Sequence, residues 1–432
     1  MDSRTVRAKH KEFILPSVAN YYEEPVVLAS GKGSRVKDLD GHSYLDFFGG
    51  ILTNSLGQCH DKVNAAVTAQ MQRLGHVSTL YPTQPMVALA EKLVAIAPGK
   101  AKKAFFSASG TEADETAVAL AQVFTGATEL IALRHGYSGR SMLAQSLVGH
   151  GAYRAVPTQI AGIKHGLSPY CYRCPMKLEV RTCGTACAKD LDELIKTTTT
   201  GRIAGMLAEP IQGVGGFITP PKNYFEIAAE IVRKYGGVMI IDEVQTGFGR
   251  TGKMWGAQQF NVEPDIMTMA KGIANGFPLG ATLCTAAIGD AYKSGNISTF
   301  GGNPISSTAA IAVIDTILEE KLVDNAAQQG GLLREGLMRL QKKHPRTIGE
   351  VRGMGLMQGV ELVVDETAQD RTPNTKATLR IFEETKKRGL LIGKGGLYNN
   401  AIRISPALNI SKGEVEECLS ILEESLAALV VG

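Results

Sequence analysis

Between Gly236 and Lys271 the chain reads GGVMIIDEVQTGFGRTGKMWGAQQFNVEPDIMTMAK, and two apolar runs within it dictate much of the architecture. Val238 to Ile241 is β-rich and lacks polar alternation, the pattern of a strand buried on both faces beneath covering helices. It ends on Asp242 and Glu243, at the strand end where open α/β sheets bind ligands. A second run, Asp265 to Ala270, delivers Lys271 and stops at Gly272, a breaker that leaves the amine at the mouth of the sheet. A carboxylate and a lysine thus face one pocket.

That pairing meets the needs of pyridoxal 5'-phosphate, whose aldehyde takes a lysine Schiff base and whose ring nitrogen needs an acid partner to remain protonated. On spacing alone the same residues also read as a core strand followed by an ordinary surface lysine. Inside the stretch, GFGRTG (Gly247 to Gly252) matches G-x-G-x-x-G letter for letter and raises a dinucleotide site as a rival. The rival is weak, because DEVQT separates strand from glycines, no helix clearly opens behind them, and no lone acid ends a strand about twenty residues on.

The rest of the chain supplies partners for such a pocket. Ala104 to Ser107 reads as a strand, and SASGTEADETAVALAQVF starts a helix after a Ser-Gly-Thr turn. Free amides and the positive end of the helix dipole make that turn a phosphate seat, with the Ser109 and Thr111 hydroxyls as further donors. The alternative is a plain capping box from Thr111 to Asp114. Leu130 to Leu133 and Ile203 to Ala208 are two more apolar strands, the second ending on Glu209. GSRVKDLDGHSYLDF suggests two short strands around the turn Leu39-Asp40-Gly41-His42. Lys62 to Leu74 and Gln84 to Ala97 carry helical spacing, separated by the proline-containing HVSTLYPTQP. Gly355 to Val363 reads as a strand, Arg403 lies on another, and KGEVEECLSILEESLAALV ends the chain as an amphipathic helix.

Tyr170 to Cys187, YCYRCPMKLEVRTCGTAC, holds a C-x2-C pair, Cys171 and Cys174, and a C-x3-C pair, Cys183 and Cys187. Structural zinc, free thiols and a local disulfide are all open readings. Cys59, Cys284 and Cys418 are scattered, and seven cysteines in all suit a reducing compartment better than a disulfide framework. With 46 basic and 42 acidic residues the net charge is +4 and no strong basic block occurs, so neither nucleic acid nor a membrane surface is implied. The N-terminus lacks the apolar core of a signal peptide and no apolar run approaches the roughly eighteen residues of a membrane span. A cytoplasmic protein is expected.

DEVQTGFGRTGK followed by PDIMTMAKGIANGFPLGA resembles the signature of the class III (omega) aminotransferases, members of the fold type I pyridoxal-phosphate group, and the likeness runs from about Tyr44 to the C-terminus. The resemblance implies an α/β fold, with a large domain built on a mostly parallel central sheet flanked by helices and a smaller α+β domain from the N- and C-terminal parts. Residues 1–55 would form an arm and part of the small domain, 56–311 the cofactor-binding domain, and 312–432 the C-terminal small domain.

It further implies that Asp242 holds the pyridine nitrogen, Val244 packs on the ring, Gln245 approaches the 3-hydroxyl, and Lys271 carries the cofactor. SGTEA resembles the family's SGSEAN and assigns Ser109, Gly110 and Thr111 to the phosphate. Tyr137 would stack on the ring, with Ser138 where histidine is usual. Glu209 matches the glutamate that guards a substrate-binding arginine, and Arg403 the arginine that takes the α-carboxylate, work suited to a bidentate guanidinium. Ser298 and Thr299 match positions that close over the phosphate from the other subunit, which implies a homodimer, or a tetramer, with shared sites. Tyr81 lies on a loop that reaches the neighbouring site. LGQCHD departs from the usual GHCHP at Gln58 and Asp61, a change in a loop.

The activity implied is ping-pong transamination from an amino acid or omega-amine donor to a small 2-oxo acid, with no metal in the chemistry. HVSTLY, LIGKGG and FGGI are similar to alanine:glyoxylate and β-alanine:pyruvate-type members, which favours pyruvate or glyoxylate as acceptor. Lyases acting on amino-alkyl phosphates or phosphonates, and racemases, are the alternatives within the family. A binding protein without turnover is disfavoured by the presence of Lys271, Asp242 and Arg403 together.

Overall fold

A computed structural model describes residues 1–156, 160–364 and 371–430. Strands β1 (Leu28–Lys32), β2 (Arg35–Asp38) and β3 (Ser43–Asp46) form an antiparallel ribbon near the N-terminus. The β2–β3 turn is the one expected at Leu39 to His42. Asp38 closes it by accepting the amides of Asp40 at 3.0 Å and His42 at 2.8 Å.

Seven strands follow: β4 (Ala101–Ser107), β5 (Leu130–Leu133), β6 (Ile163–Gly166), β7 (Gly205–Ala208), β8 (Val238–Asp242), β9 (Ile266–Met269) and β10 (Gly280–Thr285). They form one sheet in the order β4-β10-β9-β8-β7-β5-β6. The run from β6 through β5, β7 and β8 to β9 is parallel, and only β10 lies antiparallel to its two neighbours. Every residue of β5, β7, β8 and β9 is buried. This is why these strands read as unbroken apolar runs: helices cover both faces of the sheet. Along β8, Ile240 packs with Ala117, Val118 and Ala121 of the Gly110–Thr125 helix, while Met239 and Ile241 pack with the helices Ala186–Thr198 and Tyr224–Lys234 on the other side. The alternation is that of a pleated strand.

After the helices Pro304–Glu319 and Leu322–Lys343 come β11 (Ile348–Met354), β12 (Met357–Leu362), β13 (Leu390–Leu391), β14 (Gly393–Gly395) and β15 (Ala401–Ile404). Strands β11, β12, β15 and β14 make a separate antiparallel sheet. β13 instead pairs in parallel with β3, so the two ends of the chain share a sheet. The run expected from Gly355 begins two residues later, because Gly355 and Leu356 form the β11–β12 turn and the Leu356 amide is drawn to Arg250 O at 3.0 Å.

The GFGRTG segment opens no helix. Its Arg250 is buried and donates to Leu356 O and Pro406 O, so it ties the loop to the C-terminal part. Trp255, also buried, donates from Nε1 to Ile96 O at 2.6 Å and secures the chain beyond Asp242. Among the described residues no helix is long and apolar enough to cross a membrane.

Candidate active site

The carboxyl ends of β8 and β9 open on a cavity of about 290 Å³ lined by Ser109, Gly110, Thr111, Tyr137, Glu209, Asp242, Val244, Gln245 and Lys271. Parallel register places Asp242 beside Thr268. The chain leaves β9 and turns sharply, with Lys271 itself in the left-handed region at φ 48°. Such a conformation in a non-glycine residue costs about 1–3 kcal/mol and is held only by its surroundings. The next residue, Gly272, packs closely, since a Cβ there would stand 2.5 Å from Ser55 Oγ and would force that buried side chain to move.

Asp242 Oδ1 accepts the Val244 amide at 2.8 Å. Burial pushes its pKa up to about 6, against the opposing pull of that amide and the Lys271 charge. Burial likewise holds Lys271 below the ordinary lysine value, opposed by the carboxylates of Asp242 and Glu209. A desolvated lysine has more neutral, nucleophilic amine at moderate pH. The neighbouring acid does different work. Glu243 points to the other face of the strand and accepts Thr246 Oγ1 at 2.5 Å, Gly256 N at 2.9 Å and Ala257 N at 2.7 Å. Of the two acids at this strand end only Asp242 reaches the cavity, because successive side chains alternate.

At the opposite end the Gly110–Thr125 helix begins. Ser109 is its N-cap, accepting Glu112 N at 3.3 Å, while the Glu112 carboxylate accepts Ala108 N at 2.7 Å. The N-cap is therefore Ser109, and Glu112 reaches back one residue further to Ala108, where the sequence suggests a capping box from Thr111 to Asp114. The amides of Gly110 and Thr111, in the first turn, have no carbonyl partner within the helix and face an anion with the dipole behind them. A Cβ at Gly110 would lie 3.3 Å from both Val244 methyls, so glycine brings backbone close to the apolar floor.

Pyridoxal phosphate fits these groups. An anion seat, a lysine, a carboxylate, an apolar floor at Val244 and an aromatic at Tyr137 surround one cavity. Gln245 Oε1 is buried there without a hydrogen-bond partner, an orphan that a ligand hydroxyl would satisfy.

Arg403, only 2 % exposed, stands behind the cavity wall. Its Nε donates to Lys394 O at 2.9 Å, Nη1 to Gly213 O at 3.3 Å and Nη2 to Tyr21 OH at 3.4 Å, and the guanidinium lies 4.9 Å from the Phe48 ring. Among the described residues no ion pair joins it to Glu209. That carboxyl accepts Tyr137 N at 3.0 Å and Gly213 N at 2.7 Å instead. Burial, aided by the Asp242 charge, pushes Glu209 up to about 8. Arg403 thus donates only to neutral acceptors among the described residues.

Thr299 is exposed and does not line the cavity, and Tyr81 is 65 % exposed. Their loops are joined, with Thr79 N donating to Ser298 O at 3.3 Å and Ser298 N to Thr79 Oγ1 at 3.1 Å.

Two site residues escaped the sequence reading. Asp114, 1 % exposed, lines the cavity and accepts Thr268 Oγ1 at 2.7 Å. Burial and the charge of Asp242 hold its pKa well above the carboxylate range. Its signal was an acid in SGTEAD at the place of the family's asparagine. Tyr21, at Arg403, lies in an irregular arm with no motif to mark it.

The raised acids set a pH dependence. The folded state binds protons at Asp242, near 6 against an ordinary 3.8, and at Glu209, near 8 against 4.5, more tightly than the unfolded chain does. Their stabilisation is complete below about pH 4 and is lost as pH rises through those folded values. The cofactor-free protein should therefore melt at progressively lower temperature from about pH 6 to 8, and Glu209→Gln should flatten the upper part of that curve. A flat wild-type profile in thermal denaturation would contradict the assignment.

A family model described as Aminotransferase class-III matches residues 17–426. Alanine–glyoxylate aminotransferase 2 homolog 2, mitochondrial, from Arabidopsis thaliana is 41% identical over 425 residues, 98% of this chain and 87% of that protein. A leucine/methionine racemase from Thermococcus litoralis is 34% identical over 430 residues, 97% of this chain and 94% of the racemase. Among solved structures, an amine transaminase from an uncultivated Pseudomonas species in its PLP-bound form superposes with a TM-score of 0.89 at 34% identity, covering 96% of this chain and 98% of the other.

Proposed function

The chain belongs to the class III aminotransferases, and we propose that it moves an amino group from an amino acid or omega-amine donor to a small 2-oxo acid, glyoxylate or pyruvate, with Lys271 as its catalytic lysine. The observation that carries this reading is the meeting, in one cavity, of Lys271, Asp242 and the amide-rich helix start at Gly110 and Thr111.

Pyridoxal phosphate, when bound, supplies the aldehyde that holds the substrate amine and the ring that accepts the electron pair of its α-carbon. Lys271, the one lysine lining the cavity among the described residues, would hold the cofactor, and its nitrogen would carry a proton to and from the substrate α-carbon. Asp242 pairs with the pyridine nitrogen and keeps it protonated. The amides of Gly110 and Thr111 bind the phosphate, with the Ser109 and Thr111 hydroxyls beside them. Val244 and Tyr137 confine the ring faces, and Gln245 meets the 3-hydroxyl.

Arg403 receives the acceptor's carboxylate, a role supported by the lack of any carboxylate partner for this buried guanidinium among the described residues. Glu209, held by two amides and raised by burial, would offset that charge for a donor without an α-carboxylate once it ionises or leaves those amides. Glyoxylate or pyruvate as acceptor rests on the likeness to the alanine–glyoxylate relative.

The exposed, mutually bonded loops carrying Tyr81 and Thr299 support a homodimer in which each subunit completes its partner's phosphate site. The pairing of β13 with β3 supports a small domain assembled from residues 1–55 and 312–432. A reducing, cytoplasmic setting accords with the seven free cysteines.

Arg403→Ala should raise the KM for the 2-oxo acid about 10²-fold, the loss of a charge-assisted pair at about 2–5 kcal/mol, while kcat changes less. Donors without a carboxylate should be little affected in their half-reaction. An unchanged KM would remove Arg403 from the site.

The decisive assay offers a panel of amines with pyruvate, glyoxylate and 2-oxoglutarate while ammonia and phosphate are followed. Amino transfer without ammonia release is expected. Ammonia or phosphate release would establish a lyase instead. Inversion of an amino acid without any acceptor would establish a racemase, the second reading favoured by the Thermococcus litoralis relative.

A further inference from the structure

Residues 167–185 join β6 to the Ala186–Thr198 helix and form neither helix nor strand. A connection longer than about 12–15 residues without regular structure is uncommon in a compact domain and is usually held by something else. All four cysteines of the C-x2-C and C-x3-C pairs, Cys171, Cys174, Cys183 and Cys187, converge here on one space of about 20 Å³ walled by proline and aliphatic side chains. Each is partly buried. None of them lines the active-site cavity.

We propose that these four thiols close on a single zinc ion as a structural tetrathiolate site. Binding is acid–base and coordination chemistry alone: four S–H groups release four protons to solvent, four sulfur–zinc bonds form, and no electrons are transferred. The ligand set is all sulfur, which selects a soft, tetrahedral ion.

A divalent ion at the centre offsets half the charge of four thiolates. The same segment carries Lys177, Arg181 and Lys189 against the acid Glu179, with Arg173 already paired to Glu361, and the Ala186–Thr198 helix starts beside Cys187. Among the described residues no three His, Cys, Asp or Glu side chains already stand in metal-holding geometry. The four thiols are thus gathered but not in ligand geometry, and zinc binding requires the loop to close around the ion, a coupling of metal binding to local folding.

The knot would brace the substrate side of the protein. Tyr170 OH and Arg173 Nε, on the same loop, both donate to Glu361 of β12. Glu361 also accepts Arg352 Nη1 at 2.5 Å, and Arg352 Nε donates to Gly216 O at 2.8 Å. β12 in turn pairs Gly359 with Arg403. Holding the loop holds the strand beside the carboxylate-binding arginine.

The test uses the full-length holoenzyme, purified in reducing buffer without chelator, with zinc and iron measured by mass spectrometry of the elements and by native protein mass. One zinc per chain is expected, with the four thiols shielded from maleimide until the metal is stripped. Cys174→Ser and Cys187→Ser should each lose the zinc and the shielding while keeping the cofactor's absorbance. If either variant fails to fold, cobalt substitution of the wild type decides, because a tetrathiolate site gives tetrahedral cobalt bands beyond the cofactor's absorption. The proposal is overturned by four freely alkylated thiols and no zinc after incubation with zinc chloride. It is equally overturned by a native mass showing a disulfide, by iron in place of zinc, or by zinc retained in full by both variants.

Discussion

Lys271→Ala protein should emerge from purification with no covalently held cofactor and with amino transfer lower by at least about 10⁴-fold, the upper range for losing a positioned proton carrier. Two functions disappear together, the attachment point and the base that moves the α-proton. No other lysine lines the cavity among the described residues, so no neighbour can take either role. The environment suits both, since burial keeps the amine below the ordinary lysine pKa while Asp242 and Glu209 restrain that shift. Borohydride treatment of the wild type followed by peptide mapping should mark position 271 alone. Added methylamine should restore part of the variant's proton transfer, which loss of fold would not allow. A coloured, active Lys271→Ala enzyme would end this interpretation.

Asp242→Asn should lower amino transfer by about 10²–10⁴-fold, in line with the roughly 3–5 kcal/mol lost when one member of a buried charge pair is removed. Asparagine keeps the shape and can still accept the Val244 amide now held at 2.8 Å, so the strand end should survive. What it cannot do is stabilise a protonated ring nitrogen. The same change removes the negative charge that raises Asp114 and Glu209. The cofactor-free variant should therefore melt at a higher temperature than the wild type near neutral pH while catalysing less. Opposite signs in the two measurements distinguish an electrostatic role from a structural one. Wild-type rates in the variant would remove Asp242 from the chemistry.

The absence of a Glu209–Arg403 ion pair bears on substrate range. Glu209 is tied to the Tyr137 and Gly213 amides, so neutralising the arginine requires a change in those bonds or ionisation of the raised carboxyl. Carboxylate-bearing acceptors meet an arginine that has no carboxylate partner among the described residues.

Local pattern carried the central sheet. Runs such as Val238 to Ile241 and Asp265 to Ala270 announce buried strands because their burial on two faces is written into consecutive residues, and a glycine marks where Lys271 leaves the sheet. The lysine and one acid at the strand ends were legible for that reason. Which of Asp242 and Glu243 faces the cavity was not, since the pleat assigns them to opposite sides only once the strand's orientation in the sheet is set. The cap at Ser109 and Glu112, the Asp114–Thr268 contact, Tyr21 at Arg403, the β3–β13 pairing and the convergence of four cysteines all join residues through packing. Periodicity and breakers act over a few positions along the chain. Proximity between distant segments is decided by how whole elements stack, and the burial that shifts Asp242, Glu209 and Lys271 exists only after that stacking is complete.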